Sequence, residues 1–275
     1  MTVTTSIGIC ADDFGLETGI NEGILALVAQ GRLSAVSCLA QGQYFSRDSA
    51  ALASMDVDIG LHLNFTEALT GSDLSLPVPR LILQAYSHAL STARIRAQID
   101  QQLDRFDALV GRSPDFVDGH EHVHQLPVIR DALLTALRHR YPKQAIWLRS
   151  TRPARLSHAL PRAQRVKAHL IAALGAKALR SQAQQFGFQM NTDFVGVYDF
   201  SRPHPLYLKM LNDWLSQAST GTLLMSHPAT GVDVADRYGV DRVAEYQVLS
   251  SDGFATLLGQ LDLKITRLSS LNLAA

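Results

Sequence analysis

The chain has 275 residues, and its 25 basic and 25 acidic side chains give a formal net charge of zero. A neutral chain offers no electrostatic reason to expect a nucleic-acid partner, and no segment approaches the roughly 20 apolar residues of a membrane span. The two cysteines are too few for a disulfide framework, and the first residues lack the basic and apolar regions of a signal peptide. These features predict a cytoplasmic protein with no nucleic-acid partner and no stable membrane insertion.

Strand-like apolar runs alternate with helical patterns along the chain. The predicted strands lie at 7–11, 35–40, 59–63, 116–118, 145–149, 194–198 and 222–226. The predicted helices lie at 18–30, 45–54, 92–110, 127–140, 152–186 and 205–217, and the tail adds two helical stretches and an apolar piece near Ile265. The stretch at about 66–91 is too long for a simple connection, so we expect an insertion or a lid loop there.

This alternation predicts an α/β fold with parallel strands and right-handed crossovers. Seven or eight strand–helix units in a chain of this length fit a (β/α) barrel-like domain better than an open sheet, and no Gly-x-Gly-x-x-Gly motif follows the first strand. No repeat or linker divides the chain. Residues 1–275 are therefore predicted to form a single domain.

The densest group of metal-ligand side chains is a histidine run that follows the fourth predicted strand. If this segment is extended, one face carries Asp118, His120, His122 and His124. The whole chain has only ten histidines, so this density is hard to explain as packing. The run predicts a metal site.

Polar motifs also lie at the ends of other predicted strands. The adjacent pair Asp12 and Asp13 follows the first strand, and His62 lies near the end of the third. Arg149 closes the fifth strand, and His227 follows the seventh. Each motif alone could be a turn, a core histidine or an ion pair. Because the carboxyl ends of barrel strands share one face, together they predict one active site.

These residue types suit hydrolysis by a metal-activated water. Two histidines and one carboxylate can hold a metal and leave a position open for water or substrate. A second carboxylate that is not a ligand can then accept the proton of that water. Neighbouring aspartates at a strand end point in different directions, so one can face the metal and the other the water.

Four motifs occur in the order in which they appear in the YdjC-like (ChbG) carbohydrate deacetylase family, which includes proteins associated with hopanoid biosynthesis. The motifs that carry this resemblance are Ala11-Asp-Asp-Phe-Gly15, Gly60-Leu-His-Leu-Asn64, Asp118-Gly-His-Glu-His-Val-His124 and Ser226-His-Pro228. The segment Arg242-Val-Ala-Glu245-Tyr246 resembles a further family motif. The resemblance extends from Ile9 to about Leu249.

The resemblance implies a (β/α) barrel-like fold related to polysaccharide deacetylases and a divalent metal, magnesium. Zinc or another divalent metal is the alternative, because two imidazole ligands favour a softer ion than magnesium. The resemblance also implies the substrate: a small acetylated sugar, chitooligosaccharide-like or carried on a glycolipid, which loses its N-acetyl group. Carried over by position, the metal ligands are Asp13, His62 and His120, and Asp12 is the general base.

The remaining roles are assigned as hypotheses. His227 is the candidate acid for the departing amine, because a histidine titrates in the useful range, and Arg149 would orient Asp12. Substrate contact or support of the ligands is expected from a further set, namely Asp118, His122, His124 and Glu245. The sequence departs from many members at Gly119, Glu121 and Ala229, where Ser, His and Gly are usual. These departures leave the substrate subgroup open.

Two other functions remain open from the sequence. The same cluster could hydrolyse a phosphoester, although a two-metal phosphoesterase needs more ligands than can be placed here. Alternatively, the chain could be an inactive sugar-binding relative, but a pure binding site does not need the spare carboxylate of Asp12. The basic residues of 152–186 are interpreted as a solvated helix face and not as a binding patch. A homodimer is possible, and the sequence does not decide the oligomeric state.

Overall fold

A computed structural model describes residues 4–154, 160–200, 204–231 and 236–273, in which parallel strands alternate with helices. The strands are β1 Thr5–Phe14, β2 Ala35–Cys38, β3 Asp58–Leu63, β4 Phe116–Gly119, β5 Trp147–Leu148, β6 Gln189–Met190, β7 Phe194–Val195, β8 Leu223–Ser226 and β9 Leu263–Ile265. The helices are α1 Thr18–Ala29, α2 Phe45–Ala53, α3 Val78–Tyr86, α4 Thr92–Val110, α5 Ile129–Arg140, α6 Arg162–Ala173, α7 Ala176–Gln185, α8 His204–Leu215, α9 Gly239–Leu249 and α10 Asp252–Gln260.

The strands form one sheet in the order β6-β5-β4-β3-β2-β1-β8-β7, and β9 pairs with β1. All of these pairs are parallel. The two ends of the sheet come together, because Pro153 just beyond β5 forms a parallel bridge with Phe194 of β7. The sheet therefore curls into a barrel-like shape, and the predicted fold class is confirmed.

The core lies between this sheet and the helices that surround it. From Ile7 to Phe14, every residue of β1 is buried, as expected for a parallel strand covered on both faces. Five apolar residues of α4 recur at helical spacing and are buried: Ile95, Ile99, Leu103, Phe106 and Val110. Ser91 caps this helix, and Gly111, with φ 78°, ends it.

Several predicted boundaries differ from the structure. The stretch at 66–91 contains α3 and is not a loop throughout. Within 152–186, Pro153 pairs with a strand, residues 155–159 lie outside the described residues, and two helices follow. Strand β6 has only two residues, too few to show a period in the sequence. None of the described helices is long and apolar enough to cross a membrane.

Candidate active site

A bulge at the end of β1 sets the directions of the two adjacent aspartates. Ala11 pairs with Val36, whereas Phe14 pairs with Cys38, so β1 holds one residue more than β2 in this interval. Asp13 takes a left-handed conformation with φ 70°. Such a bulge re-aims side chains, and here Asp12 and Asp13 contact different partners.

Asp12 is held by a buried arginine. Nη1 and Nη2 of Arg149 each donate a hydrogen bond to one carboxylate oxygen of Asp12, both at 2.6 Å. Nη2 also lies 2.6 Å from Oδ2 of Asp118. Burial alone would lower the pKa of Arg149, but Asp118 and Asp12 hold it well above its usual range. The guanidinium therefore stays charged and fixes the plane of the Asp12 carboxylate.

Asp13, His62 and His120 bring three ligand-type atoms together at the carboxyl ends of β1, β3 and β4. Oδ1 of Asp13 lies 3.5 Å from Nε2 of His62 and 3.1 Å from Nδ1 of His120. All three ligand atoms lie within 4.8 Å of one another. The structure thus brings together the three residues predicted as metal ligands.

The surroundings of these three residues fit a divalent cation. Nδ1 of His62 lies 2.7 Å from Oδ1 of Asp118, which leaves Nε2 directed at Asp13. A carboxylate on the outer nitrogen is the usual support of a metal-binding histidine. Burial would lower the pKa of His120, but Asp13 and Glu67 raise it to about 10. This position therefore favours positive charge.

Three residues of this site were not identified from the sequence: Glu67, Ser37 and Arg242. Ser37, on β2, donates a hydrogen bond to Oδ1 of Asp118 at 2.5 Å and lies 2.9 Å from Nδ1 of His62. Nη2 of Arg242, on α9, donates to Oδ2 of Asp13 at 2.7 Å. The segment 242–246, which resembles a family motif, could have indicated Arg242 as a site residue. Nothing in the sequence around Ser37, a serine in an apolar strand, indicated a role in the site.

Arg242 offsets the charge of Asp13. Burial would raise the pKa of Asp13, but Arg242, His120 and His227 hold it well below its usual range. Nε of Arg242 also donates to Oδ2 of Asp236 at 2.6 Å. Asp13 therefore stays ionised, with one oxygen on an arginine and the other facing the two histidines.

The histidine run is not extended beyond β4, so the condition under which its side chains would share one face is not met. Strand β4 ends at Gly119, and His120–Gln125 forms a turn of 3₁₀ helix in which Glu121 and His122 have positive φ. The histidines therefore do not share one face. A Cβ on Gly119 would lie 2.8 Å from the backbone nitrogen of His124, so this turn favours glycine at position 119.

His122 and His124 are not part of the group of ligand-type atoms formed by Asp13, His62 and His120. Nε2 of His124 donates to the carbonyl oxygen of Arg149 at 2.9 Å, and the side chain is fully buried. The ring of His122 packs edge-on against Phe194. Burial lowers the pKa of His124 to about 4 and also lowers that of His122. Both rings are neutral at pH 7, and His124 supports the Arg149 backbone.

His227 lies beside Asp12, after β8. Its Nε2 is 3.9 Å from Oδ2 of Asp12, and its backbone N–H donates to Oε2 of Glu245 at 2.6 Å. Glu245 is fully buried and accepts a second hydrogen bond from Tyr198. Glu245 thus positions His227 and does not reach the surface.

The protonation of His227 differs from the expectation. Burial lowers its pKa to about 4, so the ring is neutral at pH 7, where an ordinary histidine would be partly protonated. A role as an acid therefore requires that His227 gain a proton during the reaction.

Comparison with known sequences identifies the family. A sequence model described as "YdjC-like protein" matches residues 6–260. The chain belongs to the YdjC-like family. The chitooligosaccharide deacetylase of Enterobacter sp. (strain 638) is 27% identical over 254 residues, which cover 88% of this chain and 89% of that protein. The carbohydrate deacetylase of Mus musculus is 31% identical over 157 residues, 52% of this chain and 49% of that protein.

Solved structures support the fold. A protein from Enterococcus faecalis V583, provisionally described as a cellobiose-phosphate cleavage protein, superimposes with a TM-score of 0.69 and 19% identity over 96% of this chain and 98% of its own. A peptidoglycan N-acetylglucosamine deacetylase superimposes with a TM-score of 0.52 and 12% identity, over 96% of this chain and 86% of its own. At these identities the likeness concerns the fold alone. The family resemblance read from the motifs is confirmed by the family match.

Proposed function

We propose that this YdjC-like protein is a metal-dependent carbohydrate N-deacetylase that hydrolyses the acetamide of an acetylated sugar. One observation carries the proposal. Asp12, held by Arg149 and outside the metal-ligand set, lies next in the chain to Asp13, which faces His62 and His120. Its relatives named carbohydrate and chitooligosaccharide deacetylases support the substrate class.

Asp13, His62 and His120 would hold the metal, and the other polar groups would handle protons. A divalent ion bound there would polarise the acetyl carbonyl and make a bound water more acidic. Asp12 accepts a proton from the attacking water. Its carboxylate has further lone pairs beyond those used by Arg149, so the ion pair does not block this role.

His227 would deliver a proton to the departing nitrogen. Because the resting ring is neutral at pH 7, it must first take a proton, and Asp12 is its carboxylate neighbour at 3.9 Å. We propose that the proton removed from water by Asp12 passes to His227 and then to the amide nitrogen. The water oxygen joins the acetyl carbon, the C–N bond breaks, and acetate and a free amine are released.

The identity of the metal is part of the proposal. The family resemblance implies magnesium, whereas two imidazole nitrogens and one carboxylate oxygen form a donor set that zinc and similar ions prefer. Elemental analysis of the protein, purified without added metal, distinguishes magnesium from zinc. The cytoplasmic location and the homodimer stay predictions.

The substrate range is tested by acetate release. Purified protein is incubated with chitooligosaccharides, N-acetylglucosamine monosaccharides and acetylated glycolipid sugars, and acetate and free amine are measured. We expect equal amounts of both products, and no release after chelation of the metal. Phosphate release from matched phosphorylated sugars without acetate release would instead identify a phosphoesterase. Binding of the sugars without any product would identify an inactive relative.

A further inference from the structure

Each of the two histidines in the candidate metal site has a carboxylate on the ring nitrogen that faces away from Asp13. His62 presents Nε2 to Asp13 and has Asp118 on Nδ1 at 2.7 Å. His120 is reversed: it presents Nδ1 to Asp13 and has Oε1 of Glu67 at 3.6 Å from Nε2. Glu67 therefore faces the outer ring nitrogen of His120, as Asp118 faces the outer ring nitrogen of His62.

The backbone that carries Glu67 is held by Asn64, just after β3. Oδ1 of Asn64 accepts hydrogen bonds from the backbone N–H groups of Thr66 at 3.0 Å and Glu67 at 2.9 Å. Nδ2 of Asn64 donates to the carbonyl oxygen of Glu67 at 2.8 Å. The side-chain amide of Asn64 thus bonds to three backbone groups and fixes the position of the Glu67 backbone.

Asn64 is itself fixed by two buried glutamines of α4. Oε1 of Gln102 accepts the backbone N–H of Asn64 at 2.8 Å. The carbonyl oxygen of Asn64 accepts from Nε2 of Gln98 at 3.1 Å and of Gln102 at 2.9 Å. Both glutamines are 1% exposed. A continuous series of hydrogen bonds therefore leads from the buried glutamines of α4 to the backbone of Glu67.

We propose that Glu67 is the positioning residue for His120, holding Nε2 protonated so that Nδ1 is free to bind the metal. The inference rests on the metal site of the proposed function and adds one claim to it. His120 would bind through Nδ1 and His62 through Nε2, each with its own carboxylate on the outer nitrogen.

The contact between Glu67 and His120 is expected to tighten when metal binds. At 3.6 Å it exceeds hydrogen-bond distance, and the Glu67 side chain is 51% exposed, so as an ion pair it is weak. Coordination through Nδ1 withdraws electrons from the ring and makes the Nε2–H a stronger donor. Glu67 can then move onto it, because its side chain is not packed. Loss of such an outer partner typically lowers metal affinity about 10–100-fold.

Metal affinity in the absence of substrate tests this role. Glu67→Gln, Glu67→Ala and Glu121→Gln are titrated with Zn²⁺ by calorimetry after removal of bound metal. Glu121 neighbours His120 in the chain and is exposed, and it raises the pKa of His120 through its charge alone. Its variant therefore removes the same charge without removing the contact. We expect Kd to rise about 10-fold or more for Glu67→Ala, less for Glu67→Gln, which keeps an acceptor oxygen, and little for Glu121→Gln.

Nitrogen NMR of the histidine rings gives a second readout. In the Zn²⁺-loaded wild type, His120 should show a protonated Nε2 and a metal-bound Nδ1, and this pattern should weaken in Glu67→Ala. Unchanged affinity in both Glu67 variants, an equal loss in Glu121→Gln, or metal on Nε2 of His120 would each overturn the inference. None of these measurements needs turnover, so a protein that binds metal in this way and releases no acetate would contradict only the proposed function.

Discussion

Arg149 ties Asp12 to Asp118 inside the barrel. Its guanidinium contacts both oxygens of Asp12 at 2.6 Å and one oxygen of Asp118 at 2.6 Å, and it is fully buried. Asp118 in turn supports His62. Arg149 therefore connects Asp12, the proposed base, with Asp118, the carboxylate that contacts the proposed metal ligand His62. This connection fixes the position of the base relative to the metal site.

Asp12→Asn tests the general base. Asparagine keeps the size of the side chain and one acceptor oxygen for Arg149 but cannot accept the water proton. We expect kcat/KM to fall at least about 100-fold. Bound metal should stay at the wild-type level, because both oxygens of Asp12 bond to Arg149 and the proposed ligands are Asp13, His62 and His120. Acetate release and elemental analysis on the same sample measure both quantities. A variant that keeps most of the wild-type activity would contradict the assignment.

Arg149→Met tests the structural role of the buried cation. Its removal leaves the buried carboxylates of Asp12 and Asp118 without the cation that they share, and an uncompensated buried charge costs about 3–5 kcal/mol. Arg152→Met is the matched control, because Arg152 pairs with Asp193 at 3.1 Å with 56% of its side chain exposed. We expect the control to lose less than about 1 kcal/mol. Urea unfolding of both variants measures the difference, and equal losses would contradict the prediction.

The fold was predictable because it depends on the alternation of buried strands and amphipathic helices. The apolar stripe of α4 and the strand ends that carry His62 and His227 are visible in the sequence itself. The positions of the candidate ligands follow from one rule, that the carboxyl ends of parallel strands share one face. That rule does not depend on the details of any side chain.

The features that the sequence did not predict are local backbone conformations or depend on contacts between residues far apart in the chain. The turn at His120–Gln125 needs positive φ at two non-glycine residues, which no sequence period signals. The contacts of Arg242 with Asp13 join residues 229 positions apart, and only the folded chain brings them together. The low pKa of His227 likewise comes from burial, not from its neighbours in the sequence.

Arg242→Met should raise metal affinity. Arg242 occupies Oδ2 of Asp13 and offsets its charge, so its loss leaves a buried carboxylate that a divalent cation can neutralise. We expect Kd for Zn²⁺ to fall by about tenfold or more, since charges this close interact by several kcal/mol even at an effective dielectric constant of about 20. Calorimetric titration measures the change. The control is Arg237→Met, an exposed arginine of the same region. Weaker binding in Arg242→Met would show that Arg242 instead orients Asp13 for the metal.

Glu245→Gln should change how stability depends on pH. Burial raises the pKa of Glu245 to about 7 from its ordinary value of 4.5, despite the hydrogen bonds from Tyr198 and the His227 backbone that lower it. The folded state thus binds the proton more tightly than the unfolded state. The resulting stabilisation is complete below pH 4.5 and is lost as the pH rises through 7.

For the wild type, the free energy of unfolding should therefore fall between pH 4.5 and pH 8 by about 3 kcal/mol more than for Glu245→Gln, which has no proton to lose there. Subtracting the two profiles removes the other groups that titrate in this range. Urea unfolding at several pH values in the presence of a chelator measures both profiles with the metal site unloaded. If the two profiles ran parallel, Glu245 would be ionised throughout, and the hydrogen bond that it accepts from the His227 backbone would be charge-assisted at every pH in this range.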